Sequence, residues 1–520
     1  MQQIPIMILP EGSVRQQGKT AQQNNIDVAK QMAEMVKTTL GPKGMDKMLV
    51  DVHGDVAITN DGATILKELN VDNPMAKMMV EVARTQDQEV GDGTTSAVVI
   101  AGELLVQAEG MLKNKIHPTI IIKGYQEAAR ECMHKLDLMS VEFESGDEVL
   151  RDIAETSMTG KGSEEHKEQL AGLVVEALNK VSENGQFEGS DVKIESYTGG
   201  SISDSRIIQG VVLDRDISHP NMPRFMTKPK ILLLDVGLEV KSMEMDAKIQ
   251  ISDPSQMQKF LDAESQMIMT QINQIISSGA NVVISTHGID ETAQHFLAKQ
   301  GIIGIRRAKR EDLEYLSKAT GGKIVTDLKI VGQTDTGSAE LVEERMSGEK
   351  KMIFVEGCVN AQAVTLLIRG GTDHLLEEVK RAVNDAIGTV GSVIKTKRIV
   401  GGAGSVEMRL SKHIRKHSTS MSGKIQIAIN AFADALESIP RCLAENAGLD
   451  VIEIIAQINA SKKEWAGVDI ENNCIMDAFE EGVVEPTQVK IQAISSATEV
   501  ANMILRVDDV ISTAGGGRKE

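Results

Sequence analysis

Residues 91–96 read GDGTTS. Two glycines bracket an aspartate, three hydroxyl residues follow, and an apolar helical pattern then begins. The first turn of a helix leaves backbone N–H groups without partners, and the helix dipole adds partial positive charge there. A phosphate satisfies both, and glycine lets it approach the backbone. Thr94, Thr95 and Ser96 add hydroxyl donors. Asp92 would repel a phosphate unless a cation such as Mg²⁺ sits between them. A plainer role also suits these residues: an aspartate N-cap with threonines behind it. No GxxxxGK(S/T) loop occurs, so this is not a Walker A site.

Hydrophobic spacing predicts the elements that must hold this turn. Ile26, Ala29, Met32, Ala33, Val36 and Leu40 share one helical face. Asn25 suits its N-cap, and Gly41–Pro42 its stop. Roughly the first 20 residues, polar and Gln-rich, read as a loose arm. Residues 48–60 predict two short strands with His53–Gly54 at the turn. Asp61–Gly62 is a further turn signal, followed by a helical pattern through Met75, Met79, Val82 and Ala83. Behind Gly93 a helix runs through Ala97, Val98, Ala101, Leu104, Leu105, Ala108 and Leu112, with an apolar face wide enough for deep burial. Residues 118–139 predict another helix. A more polar helical stretch at 148–185 is broken by Thr159–Gly160–Lys161–Gly162.

The middle changes character. KILLLDV (230–236), ANVVIST (280–286), GIIGIRR (301–307) and GKIVTD (322–327) are short apolar runs. Helical segments near 254–278, 290–299 and 310–319 separate them, which predicts parallel pairing in an α/β layer. Strand-like runs continue through 338–369, GCVN and AVTLLIRG among them, and helices return at 373–391 and 423–460. The closing STAGGGRKE reads as disordered.

At roughly 150 residues per domain, 520 residues predict three or four domains. Aromatics are only 2%, so aliphatic residues and 26 Met must build the cores. The net charge of −19 argues against nucleic acid and against anionic membrane surfaces. Cys132, Cys358, Cys442 and Cys474 form no CxxC pair and fit no zinc spacing; they predict reduced thiols in a cytoplasmic protein. No apolar run approaches the ~20 residues of a membrane helix, and MQQIPIMILPEGS lacks a basic n-region.

TLGPKGMDKM (39–48), TNDGATIL (59–66) and VGDGTTSAVV (90–99), in that order, together resemble the chaperonins. VKRAVNDAIGTVG (379–391), AFADALESIPRCLAENAGLD (431–450) and GVVEPTQVK (482–490) extend the resemblance over essentially the whole chain. The segment 239–272 resembles the helical protrusion that the archaeal and eukaryotic cytosolic class, group II, uses as a built-in lid. Met257, Phe260, Leu261, Met267, Ile268 and Ile272 give it more apolar surface than a solvated arm needs, for tip or client contact or for burial at its base.

The resemblance implies a multidomain fold. A mainly α equatorial ATP-binding domain would comprise residues 1–146 and 403–520. An α+β intermediate domain would comprise 147–216 and 368–402. An α/β apical domain, 217–367, would carry the protrusion at about 240–272. It implies an ATPase using ATP and Mg²⁺, and a double ring of itself or paralogous subunits, usually eight per ring. Unfolded or partly folded clients would be enclosed in its chamber.

By the same resemblance, phosphates lie on Leu40, Gly41 and Pro42 and on Asp92, Gly93, Thr94, Thr95 and Ser96. Asp92 is the Mg²⁺ ligand; Asp61 and Asp385 position or polarise the attacking water. Lys161 reads the γ-phosphate, Glu485 takes the ribose hydroxyls, and Asp469 and Ile470 flank the adenine. Taken alone, Asp61 is a turn residue, Asp385 a polar helix position and Lys161 a solvated loop lysine. One departure stands out: Gly401–Gly402–Ala403–Gly404 has alanine where the family usually has the middle of three glycines beside the nucleoside. Its methyl would crowd the ribose or demand a non-glycine backbone angle, which keeps open a catalytically weak, nucleotide-binding ring scaffold. The chain also stops at GGGRKE, where many relatives continue into a Gly- and Met-rich tail.

Overall fold

The computed structural model describes residues 14–50, 54–69, 71–143, 146–162, 164–182, 191–239, 254–347, 350–358 and 363–512. The chain divides into two compact units, the second inserted into the sequence of the first: Met1–Ala171 with Ala382–Glu520, and Gly172–Arg381.

The N-terminal part of the first unit is built on helices α1 (Gly18–Lys37), α2 (Gly62–Glu68), α3 (Pro74–Val90), α4 (Thr94–Lys113), α5 (Pro118–Met139) and α6 (Asp147–Met158), followed by α7 (Lys167–Val181). The second unit contains α8 (Pro254–Ser278), α9 (Glu291–Lys299) and α10 (Arg310–Thr320), and α11 (Asp373–Thr396) leads back. The C-terminal part adds α12 (Ser405–Ser418), α13 (Lys424–Leu436), α14 (Ser438–Asn446), α15 (Val451–Ala460) and α16 (Thr487–Arg506).

Helix α4 is the axis of the first unit. Ala97, Val98, Ala101, Leu104, Leu105 and Ala108 are fully buried where α4 packs on α1, α3, α13 and α16. Each buried leucine is worth about 1.5–3 kcal/mol. Against expectation, α4 is long and apolar enough by composition to cross a membrane; here that apolarity faces the core. Tyr125 of α5 donates its hydroxyl to the Leu104 carbonyl at 2.7 Å and meets the Phe432 ring edge-on.

Helix α1 buries Ile26, Ala29, Met32, Ala33 and Val36 as the spacing predicts, but it starts at Gly18, and Asn25 lies buried inside it rather than at its cap. The described part of the expected loose arm is ordered by a partner far away in sequence. Val14–Gln17 pairs antiparallel with Asp509–Ser512, and Arg15 Nε bonds Asp509 at 3.0 Å. Residues 1–13 and 513–520 lie outside the described residues. The strands Lys47–Val50 and Val56–Thr59 form the expected antiparallel pair, with His53 of the predicted turn outside the described residues. The single helical pattern expected after Asp61 is two helices, because Asn73 caps a new start at Pro74. The stretch 423–460 likewise divides into α13, α14 and α15.

In the second unit, Lys230–Leu234 pairs parallel with Val282–Ser285 and Ile324–Val325, and Val282–Ser285 with Ile303–Ile305. This is the layer predicted from the alternating pattern. Val364–Gly370 is a strand, paired parallel to Val192–Thr198. Of GCVN (357–360), Val359 and Asn360 lie outside the described residues; the strand Lys350–Glu356 ends before Gly357, whose φ of +66° leaves the extended region. Of the expected protrusion, 240–253 and the side chains of Met257, Phe260 and Leu261 lie outside the described residues. Ile268 and Ile272 are buried in the unit's core and Met267 is exposed.

Candidate functional site

A cavity of about 390 Å³ lies within the first unit. One wall is the start of α4. Gly93, at φ +79°, is its N-cap residue, and among the described residues no side-chain cap bond is made there. The plainer reading of Asp92 as the cap therefore fails. The first-turn backbone donors sit beside the cavity with the side chains of Thr94, Thr95 and Ser96 on its wall. Asp61 is a cap, that of α2. Its carboxylate accepts from Ala63 N at 3.3 Å, and from Thr64 N and Thr64 Oγ1 at 2.8 Å each. It also accepts from Thr94 Oγ1 at 3.0 Å, tying the starts of α2 and α4 together.

The facing wall is Leu40–Gly41–Pro42. Helix α1 ends at Lys37, ahead of the Gly41–Pro42 stop, with Thr38 as its C-cap residue. Asn446 Nδ2 bonds the Leu40 carbonyl at 2.9 Å and that of Lys37 at 3.0 Å. Gly41 holds φ +86° and packs so close to Leu443 that a β-carbon there would lie 2.4 Å from Leu443 Cδ2. The 159–162 loop closes over it: Asn60 Nδ2 donates to the Gly160 carbonyl, and a β-carbon on Gly160 would lie 2.9 Å from the Gly41 carbonyl oxygen.

Lys161 is not a solvated loop residue. Its ammonium bridges Asp92 Oδ1 at 3.1 Å and Asp385 Oδ2 at 2.6 Å. Burial alone would lower its pKa, but the carboxylates of Asp385 and Asp92 outweigh it and hold the ammonium protonated. Burial pushes the Asp385 carboxyl well up, against the pull of Lys161, and nearby Asp61 and Asp92 add to the rise. Burial and Asp61 likewise raise Asp87. Asp385 lies behind the lysine and is not itself on the cavity wall. Four carboxylates around one ammonium leave negative charge that a divalent cation would offset. Among the described residues no three ligand side chains converge into a complete metal set. Mg²⁺ suits such a place, because it binds through one or two carboxylates and takes phosphate oxygens and waters for the rest.

The other end combines charge and apolar surface. Glu485, on the wall, pairs with Lys490 Nζ at 2.7 Å, and Lys490 pairs with buried Glu407 at 3.0 Å. Burial raises the Glu485 carboxyl against the opposing pull of Lys490. Gly402 stands behind rather than on the wall. Its N–H donates to the Val483 carbonyl at 2.7 Å, and a β-carbon there would lie 2.8 Å from Glu485 Oε1. Ala403 is on the wall at φ +54°, the left-handed region expected to trouble a non-glycine residue. Asp469 turns its carboxylate back onto its own loop, accepting from Glu471 N, Asn472 N and Asn472 Nδ2 at 2.9–3.1 Å. Burial would raise it; Asn472, Cys474 and Glu471 outweigh that and lower it. Ile470, Leu443, Ile439 and Met476 supply apolar lining of the kind a nucleobase needs, with Leu443 and Ile470 reaching as far as Gly41. Sequence reading missed Gln86, Asn446 and Lys490, each of which also meets a partner far away in the chain, Val489, Leu40 and Glu407.

This arrangement can hold phosphates and a bridging cation at one end and a polar sugar and apolar base at the other, in a helical unit whose sequence is interrupted by an α/β unit. Residues 32–514 match the TCP-1/cpn60 chaperonin family, and the chain belongs to it. It is 48% identical to the thermosome subunit beta of Methanothermobacter thermautotrophicus over 520 residues, 100% of this chain and 96% of that one. It is 50% identical to the thermosome subunit beta of Archaeoglobus fulgidus, covering 98% and 95%, and 51% identical to a thermosome subunit of Pyrococcus abyssi, covering 98% and 94%.

Proposed function

We propose that the chain is an ATP-dependent chaperonin subunit that binds unfolded proteins and encloses them in a double-ring chamber. The observation that carries this reading is the uncapped start of α4 beside Asp92, facing a lysine that already holds a cation's place between two carboxylates. The relatives' designations as alpha and beta subunits support assembly with itself or with paralogous chains. The four unpaired thiols fit a cytoplasmic setting.

In this reading the first unit contains the equatorial domain, 1–146 with 403–520. An intermediate domain, 147–216 with 368–402, links it to an apical domain, 217–367, with a lid protrusion at about 240–272. The N–H groups of the first turn of α4 and the hydroxyls of Thr94, Thr95 and Ser96 take the phosphates. Asp92 takes Mg²⁺, which when bound neutralises charge on the β- and γ-oxygens. Asp385, screened from the cavity by Lys161, accepts the proton of the attacking water once the lysine has moved off it, a task suited to a carboxyl with a raised pKa. Asp61 holds Thr94 and thereby the turn. Lys161 leaves Asp385 for the γ-phosphate, and this exchange reports the nucleotide to the 159–162 loop. Glu485 receives the ribose hydroxyls, with Lys490 fixing its orientation; Ile470 flanks the adenine, while Asp469 shapes the loop beneath it.

The test is refolding of a chemically denatured client by the purified chain with Mg²⁺–ATP, with ADP, and without nucleotide, alongside negative-stain imaging. Rings and ATP-dependent recovery of the client are expected. A monomeric protein with no effect on the client would refute the reading. The strained backbone at Ala403 favours one second reading, a ring scaffold with weak turnover; rings that bind ATP but release no phosphate would establish it.

A further inference from the structure

Resting on this nucleotide reading, we infer that Gln86 is a positioning residue, which clamps the Asp92 turn to the start of α16 and so sets the Asp92 carboxylate for metal. Gln86 lies in α3 and is completely buried. Its Nε2 donates to the Asp92 carbonyl at 2.8 Å and to the Val489 carbonyl at 3.2 Å. Two carbonyl acceptors fix the orientation of the amide, since the reverse would set oxygen against oxygen. Its Oε1 is then buried with no hydrogen-bond partner among the described residues. Leaving a buried acceptor unpaired is costly, so this amide is held for what its two donors do.

Both bonds come from the single Nε2, so they hold the Asp92 turn and the start of α16 side by side. Asp92 belongs to the phosphate end. Val489 precedes Lys490, which orients Glu485 at the sugar end. Gly93 makes the clamp possible: a β-carbon there would lie 3.1 Å from Gln86 Nε2 and 2.7 Å from Val489 Cγ1. Because Gly93 brings no side-chain cap to α4, the turn's place depends on contacts of this kind. Outer-shell groups that hold a metal ligand in place typically change metal affinity by about 10–100-fold when removed, and Gln86 is placed to act in that way through the Asp92 carbonyl.

The experiment uses the full chain and a fluorescent ATP analogue, titrated with Mg²⁺ and with EDTA. Gln86→Met keeps the length and removes the donors; Gln86→Asn keeps the amide but shortens its reach, and is read in the same way if the first variant does not fold. Gln294→Met is the control for a purely structural role. Gln294 is also buried and donates to a backbone carbonyl, that of Ile289 at 2.6 Å, away from the site. We expect Gln86→Met to weaken Mg²⁺-dependent affinity about tenfold, with little change in EDTA, while Gln294→Met lowers the thermal midpoint and leaves affinity intact. Unchanged affinity in Gln86→Met, or an equal loss with and without Mg²⁺, would overturn the positioning role. Absence of binding by the unmodified chain would instead overturn the nucleotide reading itself.

Discussion

The ammonium of Lys161 lies 2.6 Å from Asp385 Oδ2, although 224 residues separate them in sequence. The same nitrogen reaches Asp92 at 3.1 Å. The side chain proposed to sense the nucleotide thus neutralises the carboxylates that a metal would need. A cation bound there would compete with the lysine for them.

Removing the lysine should therefore strengthen metal binding in the absence of nucleotide. Lys161→Ala is expected to bind Mn²⁺ severalfold more tightly than the unmodified chain, by electron paramagnetic resonance titration, because two like charges are left close together without their counterion. Equal Mn²⁺ affinity would show that the two do not compete.

Asp385 must be ionised to accept a proton, and burial raises its pKa. Hydrolysis should accordingly fall as pH drops through that raised value, giving an acid limb above the ordinary carboxylate range near about 4. Asp385→Asn should remove most of the rate at every pH. An acid limb at the ordinary position would assign the role elsewhere.

Ala403 pays for its left-handed backbone. That conformation costs an L-residue roughly 1–2 kcal/mol, and glycine's greater freedom in the unfolded chain returns about 0.5–1 kcal/mol of this. Ala403→Gly is expected to stabilise the protein by about 0.5–1 kcal/mol, measured as a higher denaturant midpoint at fixed protein concentration. A lower midpoint would mean that the methyl's packing beside Gly467 outweighs the strain.

Glu437 gives a pH signature of stability independent of the cavity. Burial would raise its carboxyl, but Arg441, Arg415 and Ser411 outweigh that and hold it lowered. A depressed carboxylate contributes stability above its unfolded pKa and loses it as pH falls through the folded value. Glu437→Gln should flatten the acid side of a plot of thermal midpoint against pH; an unchanged slope would refute the assignment.

What the sequence revealed follows the range of the forces involved. The GDGTTS turn, the α4 face and the parallel strands of the second unit were legible because their signals repeat within a few residues. Asn25 was misread because the segment before it is ordered by strand pairing with residues 509–512. Asp61, Asp385 and Lys161 were each unremarkable locally, and only the combined motifs singled them out. Gln86 and Asn446 were invisible: their amides meet carbonyls 403 and 406 residues away, and no local pattern encodes such contacts. Asp469 showed the reverse, a visible charge whose hydrogen bonds serve its own loop.

Phosphate release from Mg²⁺–ATP by the purified chain, compared with Asp92→Asn, tests the central claim most directly. The unmodified chain should turn over ATP, and the variant should lose on the order of 100-fold while its nucleotide-free thermal midpoint stays close. An unimpaired variant would contradict the placement of metal and phosphates at the start of α4.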